Sequence, residues 1–506
     1  MFPAWCMMSP RNHLPPWNGS NLYMQLKITG SGLAYSDVLI RPNLSDIRSR
    51  HSDQLDTSTI IARGLPPIKL PIISANMDTV TEHRMAITMA LYGGLGVIHR
   101  FMTSEEQAFQ VKLVKDMIRI IEDDPPLVPA TATIAEVIEL QQKRNRGYVI
   151  VYSGSIFDGD FVGIATSRDY PTAPPNTPIS RVMTPRDRVV TVSKDTNPQK
   201  AIEMMEARRI QKIPVVDKKG RLVGVYTLKD FSYKTQYPQM SLDKKGRLMV
   251  GAAIGVQSRD IERTHLLIEA GVDLLVLDIA HGGLIYTSEM LHRLKNKEGI
   301  KIPIIAGNVA TAEGARYIYD SGADGVKVGV GPGYVCETRN VAGVGIPQIT
   351  AVMDVSEALA KKRSSIPIMA DGGIREPGDL PKAIVAGAHS VMIGSLFAGT
   401  RESPGEQMLE NGTLKKLVRG MASASACQKR KSSGGSTTNG DHYTPEGRAI
   451  ATPYKGTVTK ILFDFDGGLR SSMSYVGAHT IIEMQKKGQF IMVSGAGATE
   501  NIRDLH

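Results

Sequence analysis

The sequence predicts an α/β fold in which eight parallel strands close into a (β/α)8 barrel, with a separate unit inserted into it. Two observations predict this fold. Eight short apolar runs alternate with helix-like patterns along the 506 residues, and continuous apolar runs of this kind are typical of strands buried on both faces of a parallel sheet. Between the second and third runs the alternation stops, and there the chain nearly repeats itself.

The eight predicted strands are short and apolar. In chain order they cover 69–75, 94–99, 248–254, 273–280, 302–308, 325–330, 366–372 and 390–395. Helix-like stretches such as EHRMAITMALYGG and TAEGARYIYDSGA separate many of them. In a barrel of this kind the chemistry lies on loops that follow the carboxyl ends of the strands. We therefore expect the functional residues directly after these runs.

The inserted unit consists of two similar copies. The segment TATIAEVIELQQ…DFVGIATSRDY is echoed by DTNPQKAIEMME…RLVGVYTLKDF, and both copies end in T-x-x-D. A duplicated insertion predicts a separate module on a barrel loop. We place this module at 121–237, with copies at about 121–177 and 178–237, and assign 31–120 and 238–506 to the barrel.

Composition and charge exclude several functional classes. No apolar run approaches the roughly 18 residues of a membrane span, and the N-terminus lacks the features of a signal peptide. The three cysteines are far apart, which fits a reducing, cytoplasmic location. The net charge of +10 suits a phosphorylated substrate, but the basic residues are scattered and no nucleic-acid module occurs. Residues 1–30 have no periodicity and predict a flexible extension.

Informative residues follow five of the predicted strands. The fourth ends at Asp278, the fifth at Asn308, and the sixth opens into a glycine-rich loop with Cys336. Glycines follow the seventh and eighth strands, where bare backbone N–H groups commonly hold phosphate. The sequence therefore predicts a nucleotide with its phosphate at strands seven and eight and a reactive carbon facing strand six.

Cys336 lies in GVKVGVGPGYVCETRNVAGVG, which has six glycines around one thiol. A free cysteine is by itself more often a quiet buried residue. The loop is neither a phosphate-binding P-loop nor a dinucleotide fingerprint. Its position at the active face, opposite the predicted phosphate site, favours a nucleophile that attacks an electrophilic ring carbon.

The two inserted copies resemble a tandem CBS (Bateman) module, whose members bind adenine or guanine nucleotides. The resemblance implies ATP- or GTP-type regulators held by the Thr and Asp of each T-x-x-D, namely Thr166, Asp169, Thr227 and Asp230. The alternative is a degenerate pair that acts only as a spacer.

The barrel motifs together closely resemble the IMP dehydrogenase/GMP reductase family, in the family's order. They are GPGYVCETR, MADGG, GSLFAGT, VRGMAS and GGLRSSMSYVGA, within a match from about Leu33 to about Gly497. The resemblance implies a barrel with inserted CBS domains and a homotetramer or octamer. It also implies hydride transfer between a nicotinamide cofactor and C2 of a purine mononucleotide, GMP or IMP, held on the cysteine.

The resemblance also implies roles for individual residues. Cys336 would be the nucleophile, with Thr338 and Glu446 assisting catalysis. The residues implied to bind substrate are Met77, Asp371, Gly372, Gly373, Gly394, Ser395, Gly420 and Met421. Asp278 and Asn308 would face the cofactor, and the main-chain carbonyls of Gly331, Gly333 and Cys336 would hold a monovalent cation such as K+.

The chain departs from the family pattern at two phosphate ligands. Tyr334 stands where a serine is usual, and Val418 stands where a tyrosine is usual. Tyr334 can still donate through its hydroxyl.

The direction of the reaction depends on a predicted flap at 422–447. Family dehydrogenases use an Arg-Tyr pair there to activate water, and this segment has no such pair; its one arginine is Arg430 and the nearest substitute is His442–Tyr443. The pattern favours GMP reductase with NADPH. IMP dehydrogenase with NAD is the alternative, supported by the CBS insertion and the flap length. A catalytically inactive nucleotide sensor is a third possibility.

Overall fold

The computed structural model describes residues 30–426 and 444–497, apart from 52, 119–121, 123, 145, 155–159, 194, 197, 363, 365 and 496. The predicted N-terminal extension lies outside the described residues except for Gly30. Most of the predicted flap, 427–443, also lies outside them.

Eight parallel strands form a closed barrel, and the predicted fold class is confirmed. The strands, numbered 1 to 8 in chain order, are Ile72–Ser74, Leu95–Ile98, Gly251–Ile254, Leu274–Asp278, Ile304–Val309, Gly325–Val328, Ile368–Asp371 and Ser390–Ile393. Neighbours in sequence pair with one another, and barrel strand 8 pairs with barrel strand 1 to close the ring. Each observed strand falls inside the run that predicts it, except that barrel strand 5 extends one residue beyond its run.

Eight helices surround the barrel, one after each strand. They are His83–Leu91, Ser104–Lys115, Arg259–Glu269, Ile285–His292, Ala312–Asp320, Gln348–Lys361, Asp379–Val385 and Val458–Val476. The Ser104–Lys115 helix begins with a capping box, in which Thr103 accepts from the N–H of Glu106 and Glu106 accepts in return. Further helices are Ile134–Arg144, Pro198–Ala207, Leu228–Gln236, Thr338–Val341 and Ile481–Lys487, with single turns at Tyr35–Asp37, Ile179–Arg181 and Arg293–Lys297.

Burial on both faces explains why the strand sequences are continuously apolar. In barrel strand 4, Leu274 and Val276 belong to the apolar cluster inside the barrel, whereas Leu275 and Leu277 pack outward against the helices. Side chains alternate along a strand, so every position here meets an apolar surface. Continuous apolar runs therefore mark the strands of the barrel.

The region between barrel strands 2 and 3 contains two small sheets. The first has strands Leu127–Pro129, Tyr148–Ser153, Asp160–Thr166 and Thr184–Pro185, and the second has Val192–Ser193, Lys212–Val216 and Leu222–Thr227. Each begins with strand, helix, strand, strand, which matches the sequence repeat. Tyr148, Ile150, Phe161 and Ile164 of the first sheet form one buried cluster with Val225 of the second. The identification as a CBS pair and the boundaries 121–237 stay predictions.

An antiparallel sheet follows barrel strand 8, and its last two strands flank the predicted flap. Its strands are Gln407–Glu410, Thr413–Arg419 and Ala449–Pro453. Arg419 pairs with Ala449, so the residues after the second strand and before the third emerge side by side. A separate antiparallel pair joins Val38–Ile40 to Phe490–Met492. Among the described residues, no helix has the length and hydrophobicity needed to cross a membrane.

Candidate active site

The cysteine loop begins where barrel strand 6 ends. Gly329 has φ +149°, and a Cβ placed on it would lie 2.1 Å from the backbone oxygen of Asp371. Only glycine can therefore bring this loop so close to barrel strand 7. The loop then delivers Cys336 two residues before the short helix that starts at Thr338.

Cys336, Thr338 and Glu446 form a continuous hydrogen-bonded chain. The Sγ of Cys336 lies 3.2 Å from the Oγ1 of Thr338, which in turn donates to the Oε2 of Glu446 over 2.9 Å. The backbone fixes this arrangement, because the N–H of Glu337 donates to the carbonyl of Glu446 at 2.8 Å and Cys336 pairs with Gly447. A thiol, a hydroxyl and a carboxylate in this order can pass a proton to or from a group bound at the sulfur.

A buried lysine lies at the centre of the barrel's active face. Lys327 is 2% exposed, and its Nζ contacts the Oδ1 of Asp278 at 2.6 Å and the Oδ2 of Asp371 at 2.7 Å. Asn76 donates to the other oxygen of Asp278 at 2.8 Å, and Asn308 donates to Asp371 at 2.9 Å. The ends of barrel strands 1, 4, 5, 6 and 7 thereby share one polar network.

The charges of this network are set by mutual pairing. Burial would raise the pKa of Asp278, but the charge of Lys327 and hydrogen bonds from Lys327 and Asn76 outweigh it and lower that pKa. Burial would lower the pKa of Lys327, but Asp278 and Asp371 more than reverse this and raise it. Lys327 is therefore a permanent cation and Asp278 a permanent carboxylate near neutral pH.

The network offers hydrogen-bond acceptors to a ligand. The Oδ1 of Asn308 is buried and has no hydrogen-bond donor among the described residues, while its Nδ2 is held by the carbonyl of Gly329 at 2.7 Å. A buried acceptor without a donor is costly unless a ligand provides one. Together with the carboxylates of Asp278 and Asp371, it fits ligands rich in hydroxyl groups, such as the riboses of nucleotides.

The loops after barrel strands 7 and 8 present bare backbone. In the described structure, the N–H groups of Gly373, Gly394 and Ser395 bond to no other residue. Gly394 lies against Met77, since a Cβ there would be 2.8 Å from the Met77 sulfur. Lys455 anchors the second loop through the carbonyl of Ser395 at 2.8 Å. Unbonded backbone N–H groups on the loops after two adjacent strands suit an anion.

Comparison with known proteins identifies the family. The family model described as the IMP dehydrogenase/GMP reductase domain matches residues 32–503. The chain belongs to the IMP dehydrogenase/GMP reductase family. It is an NAD(P)-dependent oxidoreductase, and the family predicted from the motifs is confirmed.

Relatives of both names are similar to this chain. Inosine-5'-monophosphate dehydrogenase of Nitrosopumilus maritimus (strain SCM1) is 44% identical over 93% of this chain and 97% of its own length. GMP reductase of Leishmania major is 41% identical over 93% of this chain and 96% of its own length. The names therefore leave the reaction direction within the family open.

A solved relative supports the same architecture. GMP reductase of Trypanosoma brucei in complex with guanosine 5'-monophosphate superposes with a TM-score of 0.85 at 38% identity, covering 95% of this chain and 99% of that one. The same enzyme in complex with guanosine 5'-triphosphate superposes with a TM-score of 0.75 at 36% identity, covering 94% and 100%.

The remaining substrate residues implied by the IMP dehydrogenase/GMP reductase family lie beside the cysteine. A Cβ on Gly420 would be 2.7 Å from the carbonyl of Val335 and 3.2 Å from the Cα of Gly447. Met421 follows directly, at the turn into the flap. The structure thus brings Gly420 and Met421 to the same place as Cys336 and Glu446, and their roles stay predictions.

The two positions that depart from the family pattern differ in burial, since one is inside a sheet and the other is exposed. Val418 is 1% exposed within its sheet, so it offers an apolar, buried side chain. Tyr334 is 53% exposed, and its ring lies 5.5 Å from the guanidinium of Arg448. Arg448 also contacts the carboxylate of Glu337 at 3.3 Å. This group of contacts braces the cysteine loop from the solvent side.

The predicted monovalent-cation carbonyls lie in the cysteine loop. The carbonyl of Gly333 accepts the N–H of Cys336 at 3.1 Å, which tightens the turn. The side chain of Arg339 lies against Gly331 and donates to the carbonyl of Ile346 at 2.8 Å. A cation at Gly331, Gly333 and Cys336 stays a prediction.

The T-x-x-D residues are partly described. Asp169 accepts from the N–H and the hydroxyl of Thr166, at 2.6 and 2.8 Å, so the first copy forms a closed turn. Thr227 ends the corresponding strand of the second copy, and the side chain of Asp230 lies outside the described residues. In the flap, Arg430 and His442–Tyr443 also lie outside them.

Sequence reasoning missed Lys327, Asn76 and Tyr35. Lys327 had a visible signal, because a lone lysine stood inside the apolar run GVKVGV, and a buried lysine requires a carboxylate partner. Asn76 stood between Ala75 and Met77 without a pattern of its own. Tyr35 is distant in sequence from every predicted ligand.

Proposed function

We propose that this protein is a GMP reductase, which converts GMP and NADPH to IMP, ammonia and NADP+. The hydrogen-bonded chain from Cys336 through Thr338 to Glu446 carries this proposal. This chain would supply a nucleophile and a proton route at one point, as the replacement of an amino group by hydride requires.

The proposed steps balance as follows. The Cys336 thiolate forms a bond to C2 of GMP, and Thr338 with Glu446 delivers protons to the 2-amino group, which leaves as ammonia. When bound, NADPH supplies a hydride equivalent to C2. The carbon–sulfur bond then breaks, the electron pair returns to Cys336, and IMP is released. The purine is reduced overall and NADPH is oxidised.

The surrounding residues would hold the two nucleotides. Asp371 would bind the substrate ribose, and Asp278 and the unbonded Oδ1 of Asn308 would face the cofactor. Lys327 holds both carboxylates in position through its two ion pairs. The loops of Gly373, Gly394 and Ser395 would receive the phosphate, with Met77, Gly372, Gly420 and Met421 completing the substrate site.

Two observations favour the reductase direction. The segment 422–447 contains no Arg-Tyr pair, and a dehydrogenase must activate water to hydrolyse its covalent intermediate; general-base activation is typically worth about 10²–10⁴-fold in rate. GMP reductase needs no water at that step. A GMP reductase bound to GMP is also among the solved structures most like this chain.

IMP dehydrogenase with NAD is the second candidate. It is favoured by relatives of that name at up to 44% identity. An inactive nucleotide sensor is favoured only by the replacements at 334 and 418, and the intact chain of Cys336, Thr338 and Glu446 opposes it. ATP- or GTP-type regulation through 121–237, a bound K+, cytoplasmic location and a homotetramer or octamer remain part of the proposal.

A paired assay tests the proposal. Oxidation of NADPH that depends on GMP, followed at 340 nm, is expected, together with release of ammonia. Reduction of NAD+ that depends on IMP would instead identify a dehydrogenase. Absence of both reactions with tight ATP or GTP binding would identify the sensor.

A further inference from the structure

The ring of Tyr35 covers the glycine loop that follows barrel strand 7. Gly372 and Gly373 have φ of +88° and +84°, a left-handed backbone that favours glycine. A Cβ on Gly373 would lie 3.2 Å from the Cε2 of Tyr35 and 3.5 Å from its Cδ2. The nearer atom is the one next to the carbon that carries the hydroxyl. The ring of Tyr35 therefore packs against Gly373, whose N–H is unbonded in the described structure.

The hydroxyl of Tyr35 is buried and lacks a hydrogen-bond partner. The residue is 5% exposed, and its oxygen bonds to none of the described residues. Leaving a buried hydroxyl without an acceptor is costly, and buried tyrosine hydroxyls usually have one. The fold thus buries a polar group that has no partner among the described residues.

Hydrogen bonds hold the backbone of Tyr35, and burial of its ring restricts the side chain. Its carbonyl accepts from the Nζ of Lys382 at 2.9 Å, and Asp37 closes the turn by accepting from the N–H of Ala34 at 2.8 Å. The position of this side chain is therefore set before any ligand arrives.

The neighbouring carboxylates keep Tyr35 a donor without accepting its proton. Burial, with the charges of Asp379 and Asp371, raises the pKa of Tyr35, so it remains a neutral phenol. Asp379 accepts from the backbone N–H groups of Arg375 and Glu376 at 2.9 and 3.1 Å. Asp371 is held by Lys327 and Asn308. The hydroxyl hydrogen therefore remains available.

We propose that Tyr35 donates a hydrogen bond to the phosphate of the bound nucleotide, beside the N–H groups of Gly373, Gly394 and Ser395. This inference rests on the proposed function in that the ligand is a purine mononucleotide. It gives the phosphate site a side-chain hydroxyl that comes from the N-terminal part of the barrel, in a chain where position 418 is a buried valine. A neutral phenol also adds no charge beside Asp371 and Asp379.

Tyr35→Phe tests the proposal, because it removes the hydroxyl and keeps the ring. Dissociation constants of IMP and of inosine are measured by calorimetry on the full chain, with the melting temperature as the folding control. We expect IMP binding to weaken about 10- to 100-fold, as for loss of a hydrogen bond to a charged group. Inosine, which lacks the phosphate, should bind within about twofold of the original affinity.

Tyr319→Phe is the matched control, because Tyr319 lies on the Ala312–Asp320 helix and contacts Arg63 and Lys362 through its ring. It should leave both affinities unchanged. Unchanged IMP binding in Tyr35→Phe, or an equal loss for IMP and inosine, would overturn the inference and leave the proposed function standing. Failure of the unaltered protein to bind any purine mononucleotide would overturn both.

Discussion

At the scale of single residues, Cys336 depends on contacts from distant parts of the chain. Thr338 is two positions away, but Glu446 is 108 residues beyond Thr338. The backbone bond between Glu337 and Glu446 holds the two segments together at 2.8 Å. The thiol is therefore placed by the sheet that carries the flap as much as by its own glycine-rich loop.

Replacing Cys336 with Ala is expected to abolish turnover, because Cys336 is the proposed nucleophile and alanine cannot form the bond to C2. GMP or IMP binding, measured by calorimetry, should persist, since the proposed ribose and phosphate contacts follow barrel strands 7 and 8. Cys6→Ala serves as the control and should retain activity. Turnover of the Cys336 variant near the original rate would refute covalent catalysis.

At the scale of elements, the barrel depends on very close contacts between helices and strands. A Cβ on Gly96 in barrel strand 2 would lie 2.4 Å from the Cα of Ala86 in the His83–Leu91 helix. Backbone atoms on both sides cannot move aside without shifting the helix. By contrast, a Cβ on Gly467, inside the Val458–Val476 helix, would meet no atom within 4 Å.

These two glycines give opposite predictions for the same substitution. Gly96→Ala should destabilise the barrel by about 1–3 kcal/mol or more through overpacking. Gly467→Ala should stabilise it by about 0.5–1 kcal/mol, because alanine is the better helix former. Urea unfolding of both variants checks this. A stable Gly96→Ala protein would show that the helix can move away from barrel strand 2.

At the scale of the whole molecule, ion pairs within the barrel join the chain segments on either side of the inserted region. Lys115 lies just before the insertion, and it contacts Asp243 at 3.0 Å and Asp273 at 2.6 Å. Both aspartates lie after the insertion in the chain. These buried ion pairs hold the Ser104–Lys115 helix to the return of the chain without residues 121–237. The barrel can therefore close when that segment is absent.

Deleting 121–237 and joining the ends with a short Gly-Ser linker is expected to preserve the chemistry. Effects of ATP or GTP on activity or assembly should disappear, because the residues proposed to bind them are removed. Steady-state kinetics with and without these nucleotides measures both outcomes. Loss of the reaction in a barrel that still melts cooperatively would show that the region is not modular.

The barrel should also lose stability in mild acid through His389. Burial lowers the pKa of His389 to about 4, and its Nδ1 accepts from the N–H of Ile368 at 3.2 Å. In the unfolded chain, this histidine takes up a proton as the pH falls through its ordinary pKa of about 6.5. The contribution of His389 to the free energy of unfolding is therefore complete above that pH, and it falls by about 3 kcal/mol as the pH drops toward 4.

His389→Asn should flatten this acid dependence, because asparagine offers an oxygen acceptor that does not titrate. Urea midpoints between pH 7 and 4 measure the slope, and His51→Asn, at an exposed position, should leave it unchanged. An equally steep decline in the His389 variant would place the acid sensitivity elsewhere.

The sequence by itself determined the eight barrel strands, the duplicated insertion and the residues that follow each strand. Apolar periodicity reports local backbone conformation and burial, and both are encoded within a few residues of each position. Motifs in the family's order then indicated the family and the candidate site residues Cys336, Thr338 and Asp371.

Only the tertiary structure decided which of these residues meet. Lys327 contacts carboxylates on barrel strands 4 and 7, Thr338 contacts Glu446, and Tyr35 lies beside Gly373. Such pairs are separated by 44 to more than 300 residues, and no local pattern carries their distance. Closure of the barrel brings the strand ends to one face, and that closure is a property of the whole chain.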